Sequence, residues 1–291
     1  MITTRVEKVT FFASFTDFTK AFDRVGYWKL FLKLLDDCCS VIAILAFWYS
    51  HQQVCVRWRN SLSSSFYIAN GTRQGGILSP TLFSRYIRDL LAEVTQLHVN
   101  CNIGGLFVNV LAYADDIVLL ANSWSALQHL LSALQQHVSN IDMMCGTKKS
   151  VCMICEPRDR TKIMNVSFPQ FTLEGCSLQF AKMFKYLGHM ITDSLSDDDD
   201  MQREIRNLFT RTNILVRRFG KCSVVVKIVL FKPYCISLYD AGLWVRYKQG
   251  SLNKLLNCYN KCLKLVFGYK RRDSVTQILF HLGTSKLHSC L

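Results

Sequence analysis

Asp115 and Asp116 stand side by side in Ala112-Tyr113-Ala114-Asp115-Asp116-Ile117-Val118-Leu119-Leu120, inside an otherwise apolar run. Burying two like charges together is costly unless cations offset them. A divalent metal is the simplest compensation, and hard Mg²⁺ favours carboxylate oxygens. A third carboxylate, Asp17, lies in Thr16-Asp17-Phe18-Thr19-Lys20-Ala21-Phe22-Asp23. By itself Asp17 is an ordinary loop aspartate. The segment Asn70-Gly71-Thr72-Arg73-Gln74-Gly75-Gly76-Ile77-Leu78-Ser79-Pro80 adds polar groups on a flexible backbone. Its glycines allow tight turns and close approach of backbone to a ligand, and Arg73 and Gln74 offer hydrogen bonds.

These residues need rigid elements to hold them. The aromatic and β-branched stretch Val9 to Phe15 reads as a buried strand ending at Asp17. Residues 106–113 and 117–121 read as two strands flanking Asp115-Asp116. Trp28 to Asp37 has helical periodicity with Leu30, Leu34 and Leu35 on one face, and Val41 to Tyr49 is apolar enough for a buried helix. Gln53 to Arg59 alternates like a strand, with Phe66-Tyr67-Ile68 as its partner. Ser79 and Pro80 look like the N-cap and first residue of a helix running to about Val94. Ser125 to Ile141 is amphipathic, with Leu127, Leu130, Leu131, Leu134 and Val138 together. Residues 150–155 form a strand, a hairpin turns at Glu174-Gly175-Cys176, and residues 184–191 close the first region. Beyond 193 the pattern is mostly helical. This order predicts an α+β fold, an antiparallel sheet with helices on one face.

The run Asp197 to Asp200 is either a metal-binding cluster or a helix N-terminus, where negative charge offsets the dipole. The helical pattern after it favours the N-terminus. Met201, Ile205, Leu208, Thr212, Leu215 and Phe219 share one face, Gly220 stops the helix, and Arg203, Arg206, Arg211, Arg217 and Arg218 fall on the exposed face. Such a stripe suits a phosphate backbone.

Charge placement points the same way. The net charge is +14, yet residues 1–202 hold 18 Lys and Arg and 18 Asp and Glu. Residues 203–291 hold 17 against 3. That asymmetry fits a segment facing a polyanion. Half the residues are hydrophobic, which argues against a disordered chain. No apolar run approaches a membrane span, and residues 1–7 lack the apolar core of a signal peptide. The expectation is an intracellular protein, nuclear or cytoplasmic rather than secreted, with no membrane partner. The 13 cysteines are scattered. Cys152 and Cys155 with Cys258 and Cys262 make a zinc site only in a non-standard pattern, so buried thiols packing as small hydrophobes are preferred.

In order and wording, the three chemical segments resemble motifs A, B and C of reverse transcriptases, most closely the non-LTR (LINE-type) retrotransposon enzymes. The resemblance covers nearly the whole chain. It implies a right-hand polymerase palm with partial fingers over residues 1–192, the fingers at about 28–70, and a helical basic thumb over 193–291. It implies an RNA-directed DNA polymerase using Mg²⁺, with Mn²⁺ as an alternative, an RNA template, a DNA primer and deoxynucleoside triphosphates. Asp17 and Asp115 would be direct metal ligands and Asp116 would assist. Phe22 is a plain core aromatic by its type alone; the resemblance places it under the sugar of the incoming nucleotide. Arg73, Gln74 and Gly75 would place the nucleotide and templating base. Lys149 resembles the motif D lysine that donates a proton to pyrophosphate, or it is a solvated basic residue. Tyr186, Leu187 and Gly188 match the motif E primer grip, where the two apolar side chains read as packing residues.

Few residues precede Asp17, whereas family enzymes carry a long fingers region there and further nuclease and nucleic-acid-binding modules. The chain therefore reads as an N-terminally truncated piece of a longer polypeptide, with exposed apolar surface where the rest docks. The alternative is an inactive remnant that binds nucleic acid through its basic last third.

Overall fold

The structure is a computed structural model that describes residues 10–37, 40–97, 99, 102–103, 106–157, 167–238 and 241–283. The expectations for residues 1–7 and Val9 fall outside these. The chain divides into two compact units, Met1–Ala181 and Lys182–Leu291.

The first unit is built on a five-stranded sheet. Its strands are β1 (Phe11–Thr16), β2 (Val110–Tyr113), β3 (Asp116–Ala121), β4 (Val151–Cys155) and β5 (Gln179–Phe180), in the spatial order β5-β4-β1-β3-β2. β1 is central and runs antiparallel to both neighbours, from Phe12↔Ala121 to Thr16↔Ile117 on one side and from Phe11↔Cys155 to Phe15↔Val151 on the other. The short edge strand β5 pairs parallel with β4, a departure from the purely antiparallel expectation. Four helices accompany the sheet: α1 (Tyr27–Asp36), α2 (Ile42–Ser50), α3 (Ser79–Gln96) and α4 (Trp124–Asn140). Along β3, Ile117, Leu119 and Ala121 alternate into the helix-covered core. There they meet Leu127, Leu130, Leu131, Leu134 and Val138 of α4, the face read from the sequence. Each such leucine contributes about 1.5–3 kcal/mol by leaving water.

Several local expectations change. On α1 the buried face is Tyr27, Leu30, Phe31 and Leu34, at i, i+3, i+4 and i+7; Leu35, one residue round the helix, is 55% exposed. Helix α2 is not buried. Only Leu45 is fully buried, Ile42, Ala46 and Tyr49 are half-buried, and Ile44, Phe47 and Trp48 face solvent. A helix apolar all round can turn only one side to the core, here the side that packs on α1. Residues 53–59 do not form one strand: Gln53–Val54 pairs with Phe66–Tyr67, and Arg57–Trp58 pairs separately with Ser61–Leu62. Residues 106–113 divide likewise, Leu106–Phe107 pairing with Asn102–Ile103 and leaving β2 shorter. Ser79 is not the N-cap of α3 but its first residue; its hydroxyl donates to the Arg73 carbonyl at 2.5 Å.

The second unit begins with the hairpin β6 (Met183–Tyr186) and β7 (His189–Thr192), which the sequence had placed at the end of the first region. It goes with the second unit because β7 packs on α5 (Asp198–Phe219) and the Met190 amide donates to Asp200 Oδ1 at 2.9 Å. Helices α6 (Val224–Phe231), α7 (Gln249–Phe267) and α8 (Val275–Leu282) complete it. Met201, Leu208 and Leu215 of α5 share a core with Leu255, Tyr259 and Leu263 of α7, and the Cys258 and Cys262 thiols are buried in it.

The aspartate run does start α5, and its carboxylates have specific partners. Asp197 Oδ2 accepts from the Val245 and Arg246 amides at 2.8 and 2.6 Å. Asp198 Oδ1 accepts from the Lys248 amide at 2.9 Å. Asp200 is fully buried and accepts from Met190 N, from Arg203 Nε at 2.6 Å and from Trp244 Nε1 at 2.8 Å. The expected arginine stripe is narrower as a result. Arg203 is tied to Asp200 and Arg211 to the buried Glu204, so both are half-buried; Arg206, Arg217 and Arg218 are exposed.

Burial pushes the Asp200 carboxyl up, but donors from Arg203, Trp244 and Met190, with His189 nearby, outweigh it and hold the group below its ordinary 3.8. Removing one partner of a buried ion pair strands the other. Asp200→Asn is therefore expected to lower the stability of the second unit by about 3 kcal/mol at neutral pH. A depressed carboxyl stabilises above its unfolded value of 3.8 and loses that contribution as pH falls through the lower folded value. The gap between wild type and variant in urea denaturation should persist down to mildly acidic pH and shrink below 3.8.

Candidate active site

The last pair of the β1–β3 ladder, Thr16↔Ile117, sets Asp17 beside Asp116, the first residue of β3. β2 and β3 are joined by a two-residue turn, Ala114-Asp115, closed by the pair Tyr113↔Asp116. Asp115 is thus at the hairpin tip and Asp116 within the strand. Ala114 has φ +51°, a region that costs a non-glycine residue roughly 1–3 kcal/mol. The flanking ladder holds it there.

The carboxylates feel one another. Burial, then the charges of Asp115 and Asp17, push the Asp116 carboxyl above its ordinary value, and Lys149 opposes them. Lys149 Nζ is 3.5 Å from Asp17 Oδ2, but its side chain is 79% exposed. A pair this open is worth at most about 1 kcal/mol. It does not neutralise three acidic groups.

The glycine-rich segment packs on the backbone that follows Asp17. The Gly71 amide donates to Val25 O and the Thr72 amide to Phe22 O, both at 2.8 Å. Gly71 has φ +95°, and a Cβ there would sit 3.0 Å from both Asp23 Cα and Asp23 O. Conformation and space both require glycine. Phe22, in a short 3₁₀ turn, rests on Phe83 of α3 with ring centroids 4.8 Å apart.

A cleft of about 520 Å³ opens between these parts, lined by Phe22, Gln74, Gly75, Pro80 and Asp115 among others. Three segments far apart in sequence therefore meet at one cavity. Arg73 is exposed and does not line it; its carbonyl instead accepts from Ser79 and the Gly76 amide. Lys149 lies at Asp17, also outside the lining. Tyr186, Leu187 and Gly188 form the tip region of the second unit's hairpin. Leu187 has φ +46° and is 42% exposed, so it is not a packing residue.

Among the described residues, no three His, Cys, Asp or Glu side chains form a ready metal cage. The donor chemistry nevertheless fits a hard divalent cation. It supplies carboxylate oxygens on adjacent strand ends, with a mutual repulsion that a cation would relieve.

Two residues at the site were not picked out from the sequence. Gly146 and Ser150 both bond to the Asp17 backbone. Their only local signal was their place beside Lys148-Lys149, because the contact spans the fold.

The family model described as reverse transcriptase (RNA-dependent DNA polymerase) matches residues 4–191. The chain belongs to the reverse transcriptase family. The RNA-directed DNA polymerase from mobile element jockey of Drosophila funebris is 28% identical over 276 residues, covering 87% of this chain and 28% of that protein. The Drosophila melanogaster Pol polyprotein from retrotransposable element R2DM is 30% identical over 129 residues, covering 43% and 12%. The chain thus spans between about a tenth and three tenths of the length of these relatives. The likeness to non-LTR mobile-element enzymes read from three motifs is borne out. In fold, the chain is similar to apo telomerase from Candida tropicalis, with TM-score 0.51, 12% identity, and coverage of 96% of this chain and 44% of the other.

The glycine-rich segment should tolerate little change at its first glycine. Gly71→Ala is expected to cost roughly 1–3 kcal/mol, the scale of a strained backbone position. Urea denaturation checks it. Gly175, with φ +70° but open space around it, is the comparison: Gly175→Ala should cost less than Gly71→Ala.

Proposed function

We propose that this chain is the polymerase core of an RNA-directed DNA polymerase, extending a DNA primer on an RNA template with deoxynucleoside triphosphates. The observation that carries the reading is the meeting of Phe22, Gln74, Gly75 and Asp115 at one cleft, with Asp17 and Asp116 beside it. The first unit would serve as palm with partial fingers at about 28–70. The region from 193 would act as a thumb on the template–primer duplex, with the hairpin tip Tyr186–Gly188 as primer grip.

Asp17 and Asp115 would hold Mg²⁺, or Mn²⁺, with Asp116 assisting. Metal ions held there would supply activation of the primer hydroxyl and charge stabilisation for the leaving pyrophosphate. Gln74 and Gly75 would orient the incoming nucleotide along the cleft wall. The Phe22 ring, backed by Phe83, would exclude a 2′-hydroxyl by clash. Lys149, held near Asp17, would hand a proton from Nζ to the pyrophosphate.

A second reading rests on the 17-to-3 charge excess over residues 203–291 and on exposed Arg206, Arg217 and Arg218. It takes the chain as a nucleic-acid binder without catalysis. Primer extension separates the two. Asp115→Asn is expected to lower extension by roughly 10³-fold, the several kcal/mol a metal ion supplies, and to leave duplex binding intact. Phe22→Ala should cut discrimination against ribonucleotides by up to about 100-fold. Equal extension by wild type and Asp115→Asn sinks the polymerase reading. No extension by either, with binding that weakens steeply as salt rises, favours the binder.

A further inference from the structure

We propose that Gly146 and Ser150 are positioning residues that fix the Asp17 carboxylate for metal binding, an inference that rests on the polymerase reading above. Asp17 lies just past the end of both ladders of β1, two residues beyond the pair Phe15↔Val151 on one side and one beyond Thr16↔Ile117 on the other. A residue past the end of a ladder has no regular partner for its backbone. Here the loop before β4 supplies one. The Gly146 amide donates to Asp17 O at 2.7 Å. The Asp17 amide donates to Ser150 Oγ at 3.3 Å, and that hydroxyl donates onward to Gly146 O at 2.9 Å. Farther along, Phe18 bridges Cys145 and the Thr19 amide donates to Met144 O at 2.9 Å. Both backbone polar groups of Asp17 are thereby fixed from one loop, and Ser150 is buried.

The side chain is fixed by what Gly146 lacks. A Cβ built there would sit 3.1 Å from Asp17 Oδ2, 3.2 Å from Asp17 O and 3.4 Å from Thr19 Oγ1. The Gly146 backbone is not in the left-handed region, so an alanine could adopt its conformation. The constraint is space, and the atom that limits it is the carboxylate oxygen itself. Gly146→Ala therefore presses directly on one of the carboxylates that would hold the cation. Ser150→Ala frees the amide on its other side. Groups that orient a metal ligand without touching the metal typically govern affinity by about 10–100-fold.

The test uses the full chain and Mn²⁺ as probe, reading the free-ion signal by electron paramagnetic resonance. Primer-extension KM and kcat are measured alongside, with circular dichroism melting to report folding. Asp17→Asn is the control. The expected result is that Asp17→Asn weakens Mn²⁺ binding and that Gly146→Ala and Ser150→Ala each weaken it by about 10–100-fold. Ser150→Thr should keep wild-type affinity, and all should bind duplex as wild type does. If Asp17→Asn weakens binding while Gly146→Ala and Ser150→Ala match wild type, the positioning role is overturned and the polymerase reading stands. If Asp17→Asn itself binds Mn²⁺ like wild type, the metal reading fails and takes this inference with it. Should Gly146→Ala lose its cooperative melt, Ser150→Ala against Ser150→Thr decides.

Discussion

Three carboxylates held at neighbouring strand ends are the constraint around which the first unit is arranged. They repel one another, and the chain spends ladder and core energy to keep them together. β1 is clamped on both sides, to β3 and to β4, so Asp17 cannot retreat from Asp116 without breaking a five-residue register on each flank. Asp115 is presented on a turn whose Ala114 is in a costly conformation. Strain in the turn is of a few kcal/mol at most, while the leucine face of α4 alone supplies more than that. The core therefore decides, and the carboxylates stay where they are put.

Close backbone approach is the second device. Gly71 lets the glycine-rich segment lie against Asp23, and Gly146 lets another loop lie against Asp17. In both places a main chain reaches the stretch between Asp17 and Asp23 so closely that a Cβ would crowd it. That stretch has little regular structure of its own, only a 3₁₀ turn at Phe22–Arg24. Its shape is set from outside, by amides from 71, 72 and 146 donating to its carbonyls or to Val25 just beyond.

What could be read from the sequence follows from how far each signal reaches. Asp115 and Asp116 stood out because adjacent like charges in an apolar run are anomalous within a few residues; Asp17, a lone loop acid, was picked out only by the wording around it. The buried face of α4 was legible because its period is local and unbroken. Leu35 and α2 were misjudged because hydrophobicity says that a side chain prefers burial, not that a neighbour exists to provide it. Arg203 and Arg211 were counted as exposed because helical spacing alone ignores the buried Asp200 and Glu204 on the same helix. Gly146 and Ser150 were invisible for a different reason. Their role is a contact across 129 and 133 residues, the differences between positions 146 and 150 and position 17, and nothing local marks it.

The two units also use aspartate in opposite ways, and the contrast locates the chemistry. Asp200 is more deeply buried than Asp116, yet its carboxyl is held below the ordinary value because an arginine, an indole and a backbone amide all donate to it. It is a satisfied structural anion, and a cation would gain nothing there. Asp116 is pushed the other way by burial and by two neighbouring carboxylates, with an exposed lysine as weak opposition. Both groups sit in clusters of acidic residues, so acidity alone does not separate them. Donor supply does. Where the fold provides donors, the carboxylate braces one segment against another. Where it withholds them and adds like charges, the site is left with an electrostatic deficit that a hard cation fits.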